Sequence, residues 1–177
     1  VKGLISEDIS VYPLTNNGKQ QADKTGKELL KLKIDRIIAS PVLRARETAS
    51  ILSEIIQVPN EINNEIRESG LGPYNNTRSR VIPEGKRETL GFEPYDTIKK
   101  RMIKSIMGYD GTNVFVSHEL PIKTVISEIL DMDEEESRGI KLKNASISIL
   151  DCKNRKLLCI GAGEIGMDLI NKIEMLN

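Results

Sequence analysis

The chain has 177 residues, enough for one domain with a sizeable core or at most two small ones. Its 26 acidic and 26 basic side chains balance, so no net field favours nucleic acid or an anionic membrane, and any anion site has to be local. Two cysteines, Cys152 and Cys159, make neither a disulfide framework nor a zinc site, which points to a reducing cytoplasm; no apolar run reaches membrane-spanning length and no segment reads as a signal peptide.

Val1 stands where a Met would, so the chain is read as starting inside a longer one. Residues 1–14 have no clean period and end in the extended Tyr12-Pro13-Leu14. Thr15 reads as an N-cap, and Ala22, Gly26, Leu29 and Leu30 give a helical stripe to about Lys33. Lys33 to Ala39 is a short β-rich run between two helical patterns, as in a parallel strand. It stops at Ser40-Pro41, where Ser40 reads as the N-cap and Pro41 as the first residue of a helix running to Ile56. Residues 60–93 are polar and rich in Gly, Pro and Asn. They read as a lid-like insert with a short strand near Glu61-Ile62-Asn63.

A helix is expected from Pro94 to Met107, then a buried strand, Asn113 to Ser117, and a helix opened by Pro121. Asp131 to Glu136 is acidic and reads as a solvated connection rather than a metal site. Ala145–Leu150 and Lys156–Ile160 read as strands of an antiparallel hairpin, and a last helix runs from Glu164 to Met175. Leu157 to Gly166 spells a strand followed by GxGxxG, but no second strand or acidic residue follows to complete a dinucleotide site, so Gly161, Gly163 and Gly166 are read as turn residues. Helices alternating with short apolar strands give one α/β sandwich.

In such sheets ligands sit beyond the carboxyl ends of parallel strands. One strand here ends at Ser40, followed by Arg44; another ends at Ser117-His118. If the two strands are parallel neighbours, Arg44 and His118 converge. A helix start supplies free N–H groups and positive dipole charge, and Arg44 adds a forked cation. His118 is the only histidine in the chain. Arginine with imidazole, and no further ligands nearby, describes a phosphate pocket better than a metal centre.

Thr15-x-x-Gly18-x-x-Gln21-Ala22, Ile38-Ala39-Ser40-Pro41-Val42-Leu43-Arg44-Ala45-x-x-Thr48-Ala49, Val116-Ser117-His118 and Asn144-Ala145-Ser146-Ile147 resemble, in order and separation, the histidine phosphatase superfamily. The resemblance implies a three-layer α/β/α sandwich of the phosphoglycerate mutase type, with a mostly parallel sheet and one antiparallel strand near the C-terminus. It implies Arg44 as a phosphate clamp and His118 as the phosphate-contacting second histidine, with the main-chain N–H of Glu119 beside it. Glu68, which by its local sequence alone is a solvated loop carboxylate, becomes the proton donor to the leaving oxygen. Ser6 and Tyr74 are candidates for contact with the rest of the substrate.

The family's opening strand ends in Arg-His-Gly, whose histidine is the nucleophile, and this chain lacks it. The resemblance places that strand between the one ending at His118 and the one at Ala145–Leu150, so the native protein is expected to carry it upstream of Val1. Glu119 stands where the family commonly has Gly, and its carboxylate is expected to point away or to meet a cationic substrate group. Leu71 to Asn76 replaces the family's tryptophan-containing segment.

The expected function is therefore a phosphomonoester hydrolase working through a phosphohistidine in the full-length protein, on a small phosphorylated metabolite, without metal or cofactor. A non-catalytic phosphate-binding module and a phosphoglycerate mutase-type phosphotransferase are the alternatives. Nucleic acid and membrane are not expected as partners; a second copy of the chain stays open.

Overall fold

The alternation of helices and short strands becomes a layered structure in the computed structural model, which describes residues 4–176. In chain order the elements are β1 (Leu4–Ile5), α1 (Asn16–Leu29), β2 (Arg36–Ala39), α2 (Leu43–Ile56), β3 (Asn60–Ile62), β4 (Thr77–Arg78), α3 (Tyr95–Ile106), β5 (Asn113–Val116), α4 (Glu119–Leu130), α5 (Glu134–Ser137), β6 (Ile147–Asp151), β7 (Lys156–Ala162) and α6 (Met167–Glu174).

β2 is the centre of the parallel sheet. It pairs with β3, Ile37 opposite Asn60 and Ala39 opposite Ile62, and with β5, Arg36 opposite Asn113 and Ala39 opposite Val116. Ile37, Ile38 and Ala39 are all 0% exposed, which is why this strand is a continuous apolar run rather than an alternating one. Successive side chains of a strand leave on opposite faces. Ile37 and Ala39 thus join Leu29, Ala49, Leu52, Ile147 and Ile165, whereas Ile38 joins Ile66, Ile98, Met102, Ile106 and Val125. One strand divides the core in two, with α1 and α2 over one face and α3 and α4 over the other.

The sheet differs from expectation in its continuity. The hairpin β6–β7 is antiparallel as expected, with register shifts on either side of Ile149, but among the described residues it pairs only within itself. Among the described residues β5 pairs only through its β2 side. A further ribbon joins β1 to β4, Leu4 opposite Arg78, and ties residues 4–5 to the insert. Two-residue strands carry no periodicity to read.

Two helix starts also differ. Thr15 caps α1 as expected, accepting the Gly18 N–H at 3.1 Å. Ser40 and Pro41, however, precede α2; Val42 occupies the cap position without a side-chain bond. The Ser-Pro pair still directs the chain, since Pro41 holds Ser40 out of the helical region, but the Ser40 hydroxyl is engaged elsewhere. α4 begins at Glu119, two residues before Pro121, because proline is tolerated throughout a first turn, where the N–H has no intrahelical partner.

Gly72 shows where the insert needs glycine. Its φ is +48°, and a Cβ there would stand 2.2 Å from the Gly91 carbonyl oxygen. Gly72→Ala is expected to lower stability by about 2 kcal/mol or more, from left-handed strain and the backbone collision together. A urea midpoint equal to that of the wild type would contradict this.

Candidate active site

The parallel register of β2 and β5 brings the two strand ends together. The Ser40 N–H donates to the Val116 carbonyl at 2.9 Å, which carries the β2–β5 ladder one residue further and sets Ser40 beside Ser117-His118. The Ser40 hydroxyl lies 2.7 Å from His118 Nε2 and accepts the Val42 N–H at 3.3 Å. Its expected role as helix cap is therefore replaced by a tertiary contact across 78 residues.

Arg44, the second residue of α2, reaches back over this junction. Its Nη2 lies 3.1 Å from His118 Nδ1 and donates to Glu68 Oε2 at 3.2 Å and to the Ser6 carbonyl at 3.2 Å. Glu68 Oε2 is 3.5 Å from His118 Nδ1. Three side chains from three separate segments thus meet at one rim of the sheet. The arginine and glutamate side chains keep 29% and 20% of their surface open, so the cluster faces outward while His118 is buried behind it. In this conformer the guanidinium lies directly against the imidazole.

Glu68 is held by its backbone. Ile66 is buried in the core below it, and the Ser117 hydroxyl donates to the Ile66 carbonyl at 2.8 Å. Arg101 of α3 then binds the carbonyls of Glu65, Arg67 and Glu68. The same guanidinium grips Glu93 at both oxygens, Nε to Oε1 at 2.8 Å and Nη2 to Oε2 at 3.0 Å, while the Gly70 N–H donates to Glu93 Oε2 at 2.9 Å. Desolvation works against the Glu93 charge, but these bonds hold its carboxyl below the ordinary glutamate range. Neither Arg101 nor Glu93 stood out in the sequence. The usable clue is position: Arg101 lies on the buried face of α3 with Ile98, Met102 and Ser105, where an unpaired arginine would not be tolerated.

The remaining candidates fall differently. Ser6 meets the site through its carbonyl, its hydroxyl being taken by the Asp8 N–H at 3.1 Å. Tyr74 packs on Phe92 within the insert, ring centroids 5.4 Å apart. Glu119 opens α4, so its N–H has no intrahelical acceptor and joins the positive helix end. Its carboxylate turns to Lys123 at 2.6 Å.

Two clefts, of about 470 and 560 Å³, lie elsewhere: neither is lined by Arg44, Glu68 or His118, and the first is walled by Glu88, Asp131, Asp133, Glu134 and Glu136, which repel an anion. Among the described residues no three His, Cys, Asp or Glu side chains are grouped to hold a metal ion, and no helix is long and apolar enough to cross a membrane.

Burial pushes the Glu68 carboxyl up, outweighing the Ser69 N–H and the charges of Arg44 and Arg101. Burial, with Arg44 and Arg101 adding to it, pushes His118 down to about 3. A stability effect follows. From pH 6.5 down to about 3 the unfolded chain protonates its histidine while the folded chain does not, so stability is lost as pH falls through that window. The slope reaches about 1.4 kcal/mol per pH unit. Glu68 acts oppositely: above its ordinary 4.5 the folded chain keeps a proton that the unfolded chain has lost, and stability falls as pH rises. Urea midpoints at pH 7 and pH 5 should therefore differ less in His118→Asn than in the wild type; an equal difference in both would contradict the assignment.

Residues 7–162 match the family model of the histidine phosphatase superfamily, branch 1. The chain is 33% identical over 171 residues to the 2,3-bisphosphoglycerate-dependent phosphoglycerate mutase of Thermoplasma acidophilum, covering 92% of this chain and 86% of that one. The fold is similar to that of a mycobacterial glucosyl-3-phosphoglycerate phosphatase solved as a complex with VO3, with a TM-score of 0.75 at 19% identity over 90% of this chain and 91% of that one. It is likewise similar to phosphoserine phosphatase in complex with 3-phosphoglyceric acid from Entamoeba histolytica, with a TM-score of 0.74 at 20% identity over 94% and 91% of the two chains. With a family model spanning most of its length and a relative one third identical to it, this chain belongs to the histidine phosphatase superfamily.

Proposed function

We propose that the chain forms the phosphoryl-binding and acid half of a phosphomonoester hydrolase acting on a small phosphorylated metabolite. The observation that carries this is the meeting of the Arg44 guanidinium, the His118 imidazole and the Glu68 carboxyl within 3.5 Å at one rim of the parallel sheet. The arginine supplies a forked, permanent cation to two phosphoryl oxygens. The α4 start adds the Glu119 N–H and the positive helix end. Glu68, whose carboxyl burial pushes up toward the protonated form, gives its proton to the leaving oxygen as the O–P bond breaks. These groups act most strongly where charge gathers on the transferring phosphoryl group. The insert around Leu71 to Phe92 is then the part that selects the remainder of the substrate.

The phosphohistidine step needs a second imidazole, because His118 is the chain's one histidine and its ring nitrogens already face Ser40 and Arg44. We place that nucleophile on a strand seated between β5 and β6, each of which pairs on one side only among the described residues. Attack by its nitrogen on phosphorus, loss of the alcohol and hydrolysis of the N–P bond by water complete the turnover. The two free cysteines, Cys152 and Cys159, suit a reducing cytoplasm. A non-catalytic phosphate-binding module is the second reading, favoured by that same histidine count. A mutase reading draws on the name of the Thermoplasma relative.

Hydrolysis of p-nitrophenyl phosphate by the 177-residue chain, compared with a version extended upstream, separates these readings. Turnover by the extended version alone is expected. Turnover by both would overturn the nucleophile assignment, and turnover by neither, in folded protein, would favour the binding module.

A further inference from the structure

We propose that Ser40 is a positioning residue that holds His118 in the Nε2–H tautomer, leaving Nδ1 as the one ring nitrogen able to take up a proton when a phosphate enters. The second half of this statement rests on the phosphate-binding reading above; the first does not.

The geometry fixes the tautomer from both sides of the ring. Arg44 Nη2, 3.1 Å from Nδ1, carries only donors, so Nδ1 has to present its lone pair. The ring proton then sits on Nε2 and points to the Ser40 oxygen at 2.7 Å. The opposite arrangement, Nδ1–H aimed at Glu68 Oε2 at 3.5 Å, would set that N–H against the N–H of Arg44. The Ser40 oxygen is itself pinned. Pro41 keeps the residue extended, its N–H is bound to the Val116 carbonyl, and the Val42 N–H reaches the hydroxyl oxygen. Ser40 is 0% exposed, so water cannot replace the hydroxyl as acceptor, nor can a substrate reach it. The sequence Ser40–His118–Glu68 therefore has the partners of a nucleophile triad without an accessible nucleophile.

The charged groups facing the ring are Arg44 from α2, Glu68 from the insert and Arg101 from α3. Burial, with the two guanidiniums adding to it, favours the neutral imidazole. A phosphate dianion draws the Arg44 fork onto itself and uncovers Nδ1. That nitrogen then takes one proton from solvent and donates it to an anion oxygen, while Nε2–H stays on Ser40. Phosphate binding is coupled to proton uptake at one named atom.

One histidine in the chain means one pair of ring nitrogens, so isotope labelling of histidine gives an unambiguous spectrum. In phosphate-free protein at neutral pH, Nε2 is expected in the protonated form and Nδ1 in the bare form. Inorganic phosphate should convert Nδ1 to the protonated form. Ser40→Ala should leave the Nε2 proton without its acceptor, shift the Nε2 resonance and weaken phosphate binding about tenfold, in line with loss of one buried hydrogen-bond acceptor. A bare Nε2 in the wild type overturns the proposal even if Ser40→Ala does not fold, as does an unchanged spectrum in folded Ser40→Ala. Phosphate that leaves the His118 ring and the Arg44 guanidinium signals unmoved overturns the coupling and the phosphate reading together, while the tautomer still reports on Ser40.

Discussion

Replacing Arg44 by alanine is expected to weaken binding of inorganic phosphate or vanadate about 100-fold, with little change in the unfolding midpoint. In the proposed site the forked cation would contribute charge-assisted bonds to the anion, and losing them from a partly desolvated site is worth about 3 kcal/mol. Stability is spared for a specific reason. Burial already pushes the Glu68 carboxyl up, and losing the arginine pushes it further toward the neutral form, so less charge is stranded. Arg44→Lys keeps the charge but not the fork and should lie between the two, about tenfold weakened. Calorimetric titration with phosphate checks the series. Equal affinity in wild type and Arg44→Ala would remove Arg44 from the anion site.

Arg101→Met is expected to be the most destabilising single change around the site, by about 3–5 kcal/mol, because it breaks a buried ion pair from one side. Arg101 is 7% exposed and is shared between the Glu93 carboxylate and the carbonyls of Glu65, Arg67 and Glu68. Methionine fills much of the volume but satisfies none of those oxygens. Adding Glu93→Gln should restore part of the loss by removing the unpaired charge, and the two changes should be strongly non-additive. The pH dependence follows from the depressed Glu93 carboxyl. Its contribution is full above the ordinary glutamate value of 4.5 and is lost as pH falls through the lower folded value, so the variant should lose its acid sensitivity there along with its stability. Urea unfolding of the two single variants and the double variant, at pH 7 and pH 4, measures both effects. Simple additivity of the two substitutions would contradict the shared clamp.

Arg44, His118 and Glu68 could be picked out before the fold was known for different reasons. Arg44 and His118 follow from elementary rules: each comes just after the end of a short apolar strand, β2 or β5, and polar groups beyond the ends of parallel strands face one rim. Glu68 has no such pattern. It sits in a loop with no period, and only its place in a family arrangement singles it out. Ser40 shows the opposite failure. Ser-Pro before an apolar stripe is a local cap signal, but a histidine 78 residues away competed for the hydroxyl and won. Arg101 was hidden by charge, since an arginine within a mixed helix reads as solvated until its buried partner, Glu93, is seen. The separation of β6–β7 from the parallel sheet was not legible either. Periodicity identifies strands but carries no information about which edges pair.

A crystal of the protein soaked with vanadate tests the account most directly. The anion is expected against the Arg44 guanidinium, His118 Nδ1 and the Glu119 N–H, with the guanidinium drawn off the imidazole and the Glu68 carboxyl facing the oxygen that a leaving group would occupy. Vanadate bound elsewhere with the Arg44–His118 contact intact, or none bound at concentrations that saturate Arg44-dependent binding in solution, would contradict it.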